Sequence, residues 1–92
     1  MTRNDRSEER YENVPTAVVY DTFAEMASQL TGRYLHLSES ASSEEERDRW
    51  WEKVLQLRDE KRAVSSHDRD QLISHIDQWA AELKKLGTAG HG

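Results

Sequence analysis

Residues 65–87 read SSHDRDQLISHIDQWAAELKKLG, and their spacing decides the fold. Leu72, Ile76, Trp79, Leu83 and Leu86 recur at intervals of 4, 3, 4 and 3. That heptad rhythm puts all five on one face of an α-helix. Ser65 and Ser66 read as its start, with Asp68 completing a capping box from Ser65. Lys84 and Lys85 fall in the last turn, where the helix dipole favours cations, and Gly87 reads as the C′ residue that ends it. A helix of this length with one apolar stripe is marginal alone in water, so the stripe demands neighbours.

Working back along the chain, two more helices supply them. Ser43 with Glu46 fits the S-x-x-E capping box, and Glu44, Glu45 and Glu46 suit the positive end of a dipole. The helix they open is predicted to run to about Arg62, with Trp50, Val54 and Leu57 on one stripe and Val64 in the turn beyond. Before the polar linker 38–43, the residues Val19, Phe23, Met26, Leu30, Tyr34 and Leu37 recur at 4, 3, 4, 4 and 3, predicting a first helix from Thr16 to about Leu37. Gly32 marks a place where that helix ends or bends. Pro15 suits its first turn, because proline lacks an N–H. No alternating run is bounded by hairpin residues, so no strand is predicted. The expectation is an all-α, small antiparallel three-helix bundle over 15–87, with a flexible N-terminal arm at 1–14 and a C-terminal tail at 88–92.

Composition narrows the function classes. The chain has 92 residues, no cysteine, and 13 Lys+Arg against 18 Asp+Glu, a formal charge of −5. That is one domain's length, too short for a two-lobed enzyme. Without cysteine there is neither a disulfide framework nor a thiolate metal site. No run reaches the roughly 18–20 apolar residues of a membrane span. The charged opening MTRNDR is followed by no apolar h-region, so no secretory signal is expected and the expected location is cytoplasmic. A net negative chain lacks the basic face of a sequence-independent nucleic-acid binder, and the final helix mixes Asp68, Asp70, Asp77 and Glu82 with its cations, unlike a recognition helix.

Catalytic signals are absent. There is no Gly-rich phosphate loop and no H-E-x-x-H. His67 and His75 lie about two helical turns apart, too far to share one metal ion. The segment SHDRD at a helix start reads as capping and dipole chemistry. The expectation is a protein that is not an enzyme and takes no cofactor or metal.

Two features point to binding. On a helical wheel, Phe23, Met26, Leu30 and Tyr34 fall within about 60° of Val19. A second set, Ala17, Tyr20, Ala24, Ala27 and Leu35, lies between about 80° and 160°. A helix in a bundle needs an apolar stripe of about 100°, so helix 1 carries a surplus. Either helix 1 is wedged between its neighbours or it has a second face for another protein, with Asp21 and Glu25 at the margin. In the pair Trp50-Trp51, adjacent residues point about 100° apart. If Trp50 enters the core, Trp51 is left at its edge, either as a broad core seam or as an aromatic anchor of an interface. The candidate partner-binding residues are therefore Ala17, Tyr20, Asp21, Ala24, Glu25, Ala27 and Trp51. The charge runs 44–49 and 58–62 read as solvated faces.

The stretch Trp50–Leu86, WWEKVLQLRDEKRAVSSHDRDQLISHIDQWAAELKKL, resembles the antitoxin subunits of epsilon/zeta-type toxin–antitoxin pairs, above all in its turn into the final helix. The resemblance implies a three-helix antitoxin without catalytic activity. Its partner would be a P-loop kinase toxin that phosphorylates a nucleotide sugar, and its N-terminal helix would cover the toxin's nucleotide site. No toxin-contacting residue is matched by motif, so none is carried over. The partner expected is thus a protein, a zeta-type toxin kinase, in a hetero-oligomer, with no nucleic acid and no membrane. The alternative is a self-associating helical scaffold or regulatory adaptor, in which helix 1 pairs with its own copy as a homodimer.

Overall fold

The computed structural model describes residues 11–90, the last three by backbone alone. Three helices follow one another: α1 (Thr16–Glu39), α2 (Glu44–Ala63) and α3 (Arg69–Gly90). Together they form an all-α three-helix bundle, with no strand among the described residues.

Helix α1 begins after Pro15, whose carbonyl accepts from the amides of Val18 and Val19 at 3.0 and 3.1 Å. Pro15 is thus the residue before the helix rather than its first turn. Gly32 neither ends nor interrupts α1, which continues to Glu39. Residues on both sides of it are held: Leu30 and Tyr34 are buried, and the Ser38 hydroxyl donates to the Arg47 carbonyl at 3.2 Å. Packing of that kind outweighs the propensity of one glycine.

Ser43 caps α2 as read, its hydroxyl accepting from the Glu46 amide at 3.0 Å. The Glu46 carboxylate turns instead to the Ser42 hydroxyl, 3.4 Å away. Helix α3 starts later than expected. Asp68 is its cap, with Oδ1 accepting from the Gln71 amide at 3.2 Å, while Ser65 closes a separate turn through the His67 amide at 3.1 Å. A short polar side chain serves either purpose, and Asp68 lies at the helix boundary itself. At its far end α3 passes through Gly87 to Gly90, so the tail expected at 88–92 is helical up to residue 90. Glycine permits a left-handed stop but does not impose one. Residues 91–92 lie outside the described part.

The core consists of Val19, Phe23, Ala27, Leu30 and Tyr34 from α1, Leu57 from α2, and Leu72, Ile73, Ile76 and Trp79 from α3. Phe23 meets Trp79 at a ring separation of 5.0 Å, and Tyr34 stacks on Trp50 at 5.9 Å. Pairings between Thr16 and Arg69 and between Tyr34 and Glu82 show that α1 and α3 run in the same direction, with α2 opposed. Helix α1 is the middle of the molecule. It packs on both partners, whereas no Cα of α2 comes within 8 Å of one in α3. The surplus apolar arc of α1 is in large part explained by this wedged position.

The expected flexible arm at 1–14 needs correction at its end. Residues 11–14 form a turn in which the Val14 amide donates to the Tyr11 carbonyl at 3.0 Å, and both side chains pack on the core. The Arg69 guanidinium fixes this turn by donating to the Tyr11 carbonyl and, at 3.2 Å, to the Thr16 hydroxyl. Ile73, one turn after Arg69 on the same side, is buried although it lies off the heptad stripe. Residues 1–10 lie outside the described part. Among the described residues no helix is long and apolar enough to cross a membrane.

Candidate interaction surface

A groove runs along the outer side of the α1–α2 pair. One end, about 450 Å³, is lined on α1 by Ala27, Ser28, Thr31, Gly32 and Leu35 and on α2 by Val54, Leu57, Arg58 and Lys61. The other end, about 440 Å³, is lined by Tyr20, Arg58, Lys61, Arg62, Val64 and Ser66. Arg58 and Lys61 belong to both and stand where the two openings meet. The groove's α1 wall is built of small side chains and its α2 wall carries the cations. Arg58 also pairs with its neighbour Asp59 at 3.5 Å, but both are largely exposed and water screens the contact.

The sequence-predicted site residues fall into three groups around this groove. Tyr20 lines it, half-buried, with its ring 5.7 Å from Phe23. Ala24 is half-buried one turn further along α1 on the same flank, and Ala17 is exposed near the beginning of that flank. Asp21 and Glu25 are exposed beyond it. Trp51 is 48 % exposed, while Trp50 enters the interior and stacks on Tyr34. On α2, Trp51 stands one turn before Val54 and Leu55 and two turns before Arg58, so it extends the groove's outer edge. Ala27 is 3 % exposed and belongs to the core, and it also lines the first end of the groove.

Sequence reasoning assigned Gly32 only a breaking role, read Arg58, Lys61 and Arg62 as part of a solvated face and singled out neither Ser28 nor Thr31, all of which line the groove. The signal available was register. Leu35 belongs to the second arc of α1, and at 36 % exposure it is one of the few large apolar side chains left in water.

A separate cleft of about 220 Å³ opens between α2 and α3, floored by Leu30, Tyr34 and Trp79 and flanked by Lys53, Glu60 and Glu82. There the Tyr34 hydroxyl donates to the Glu82 carboxylate at 3.1 Å. Burial, then the nearby Glu82 charge and this bond, then Glu60, hold the phenol well above its ordinary pKa. The cleft separates two helices whose backbones do not approach each other, and Tyr34 bridges it from below. Among the described residues no group of three or more His, Asp or Glu side chains is arranged to hold a metal ion.

No protein-family model, curated protein or solved structure matches this chain.

Proposed function

We propose that this chain is a non-enzymatic binding protein that acts by covering a site on another protein. The observation that carries this reading is the groove beside α1. Small side chains of α1 face Val54 and Leu57 of α2 across an open groove, and two large apolar residues, Leu35 and Trp51, remain exposed at its edge. Exposed aromatic anchors beside an apolar groove are a usual form of protein interface. In its specific form the proposal is an antitoxin that occludes the nucleotide site of a P-loop kinase toxin, as the resemblance of Trp50–Leu86 implies. The exposed Asp21 and Glu25 on α1 suit that role, because a cleft built to hold phosphates is basic and attracts carboxylates.

The test pairs two neighbouring residues of α1. The chain is co-expressed with the product of the adjacent gene, and capture and inhibition are measured beside thermal melts. Ala24→Arg places a cation on the docking flank. It is expected to leave the melt near that of the parent and to weaken capture by several kcal/mol, as an unpaired charge in a dry interface does. Phe23→Ala removes a core ring and is expected to lower the melting temperature first, losing capture only through unfolding. Normal capture by folded Ala24→Arg overturns docking through this flank. If the chain captures no partner and sediments as a dimer that Ala24→Arg dissociates, the scaffold reading replaces the inhibitor.

A further inference from the structure

Gly32 sits in the middle of a 24-residue helix, on the wall of the α1–α2 groove. Glycine there weakens the helix relative to alanine. The fold makes no use of the missing side chain, since a Cβ built on Gly32 meets nothing within 4 Å. The space is open on the groove side, where Ser28 and Thr31 also keep the wall low. Charge is distributed just as unevenly. The chain has 18 Asp and Glu, yet neither end of the groove is lined by a carboxylate. Its cations are Arg58, Lys61 and Arg62, gathered toward the end where Tyr20 and Val64 lie. On a chain of net charge −5, this groove is a local positive channel with an apolar floor.

We infer that the groove receives an amphipathic helix of a partner protein, with its apolar side chains on the floor and acidic residues at the end facing Arg58, Lys61 and Arg62. The inference rests on the docking reading above and adds the place and the chemistry of the docked segment. From Tyr20 to Leu35 the two openings together span about 22 Å of α1, at 1.5 Å per residue, which is the length of about four helical turns. Such a helix presents anchors at i, i+3, i+4 and i+7, which match a floor of aliphatic and small side chains. A bare wall at Gly32 lets its backbone come close. The apolar floor favours a protein segment over a phosphate backbone, which would leave Leu35 and Val54 uncovered.

The probe is a designed helical peptide of about 16 residues, with leucines along one seam and glutamates flanking them at one end. Its counterpart carries lysine for every glutamate. The isotope-labelled full chain is titrated with each. The glutamate peptide is expected to shift the amides of Ser28, Gly32, Leu35 and Arg58, to bind at least about tenfold tighter than the lysine peptide, and to weaken as salt is added. The double variant Arg58→Glu/Lys61→Glu is expected to reverse the ranking. Gly32→Gln supplies a good helix-forming residue and fills the groove. It is expected to melt no lower than the parent and to lose at least about tenfold in affinity. Shifts confined to another surface, equal binding of the two peptides, undiminished binding by Gly32→Gln, or tighter binding of a single-stranded oligonucleotide at the same residues each overturn the inference. Should the peptides fail while the neighbouring gene's product is still captured and released by Ala24→Arg, the groove assignment falls and the docking reading stands. Should the peptide bind as described while no partner is captured, the groove stands and that reading falls.

Discussion

Tyr34 joins all three helices. It belongs to α1, its ring stacks on Trp50 of α2, and its hydroxyl donates to Glu82 of α3. Burial and two nearby carboxylates disfavour the phenolate, so the folded protein keeps this proton at pH values where the unfolded chain, with an ordinary tyrosine near pKa 10, gives it up. The native state then binds more protons than the unfolded one, and stability falls as pH rises. The contribution is fully present below about pH 10 and is lost progressively above it. Tyr34→Phe is expected to be about 1 kcal/mol less stable than the parent at pH 8, the usual worth of a lost hydrogen bond. The difference should narrow as pH climbs past 10, because phenylalanine has no proton to hold. Denaturant unfolding at several pH values measures both, and parallel curves for the two proteins would contradict the account. The packing of Tyr34 was legible from its place on the α1 stripe. Its hydrogen bond was not, because the partner lies 48 residues away and no periodicity encodes it.

At the scale of the helix, the ends of α2 and α3 separate what local rules can read from what they cannot. Ser43 was legible because it is the last serine before the acidic run 44–46, with Glu46 three residues on. The segment Ser65-Ser-His-Asp68 offers several competing caps, and the chain uses Ser65 for a turn and Asp68 for the helix. Asp68→Ala is therefore expected to destabilise the protein by about 1 kcal/mol. Ser65→Ala, which removes only a turn contact, should lower the melting temperature less. The reverse order in thermal melts would restore Ser65 as the cap. Ile73 and the turn at Tyr11–Val14 were missed for a related reason. A stripe search finds one face of a helix, and Ile73 lies about 100° from Leu72. The turn's tie to the Arg69 guanidinium spans 58 residues, which no local pattern encodes. On the groove, Tyr20, Ala24 and Trp51 could be read from surplus apolar arc and adjacent tryptophans. The near-complete burial of Ala27 was not legible, because a wheel drawn for one helix does not show which part of it its neighbours cover. Arg58, Lys61 and Arg62 were passed over because a charge run on a helix is ordinarily just a solvated face.

The whole molecule is two helix pairs that share α1, and its stability should follow that division. Helix α2 contributes a single buried residue to the core, Leu57, whereas α3 contributes Leu72, Ile73, Ile76 and Trp79. Leu57→Ala, a loss of about 2–5 kcal/mol for such a truncation, is expected to speed hydrogen exchange in α2 while α1 and α3 retain more of their protection. Trp79→Ala removes the ring against Phe23 and is expected to lower protection in all three helices together. If Leu57→Ala also lowers all three alike, the pairs are coupled more tightly than the distance between α2 and α3 implies. The placing of α1 also bears on how the chain is made. A ribosome delivers the centre of this molecule first. When α1 emerges, neither of its covering helices has left the exit tunnel, and when α2 has closed one flank, the side of Phe23 that meets Trp79 is still bare. At about 5–20 residues per second, the nascent protein carries that exposed aromatic surface for seconds. It is sealed only when the last helix leaves the exit tunnel.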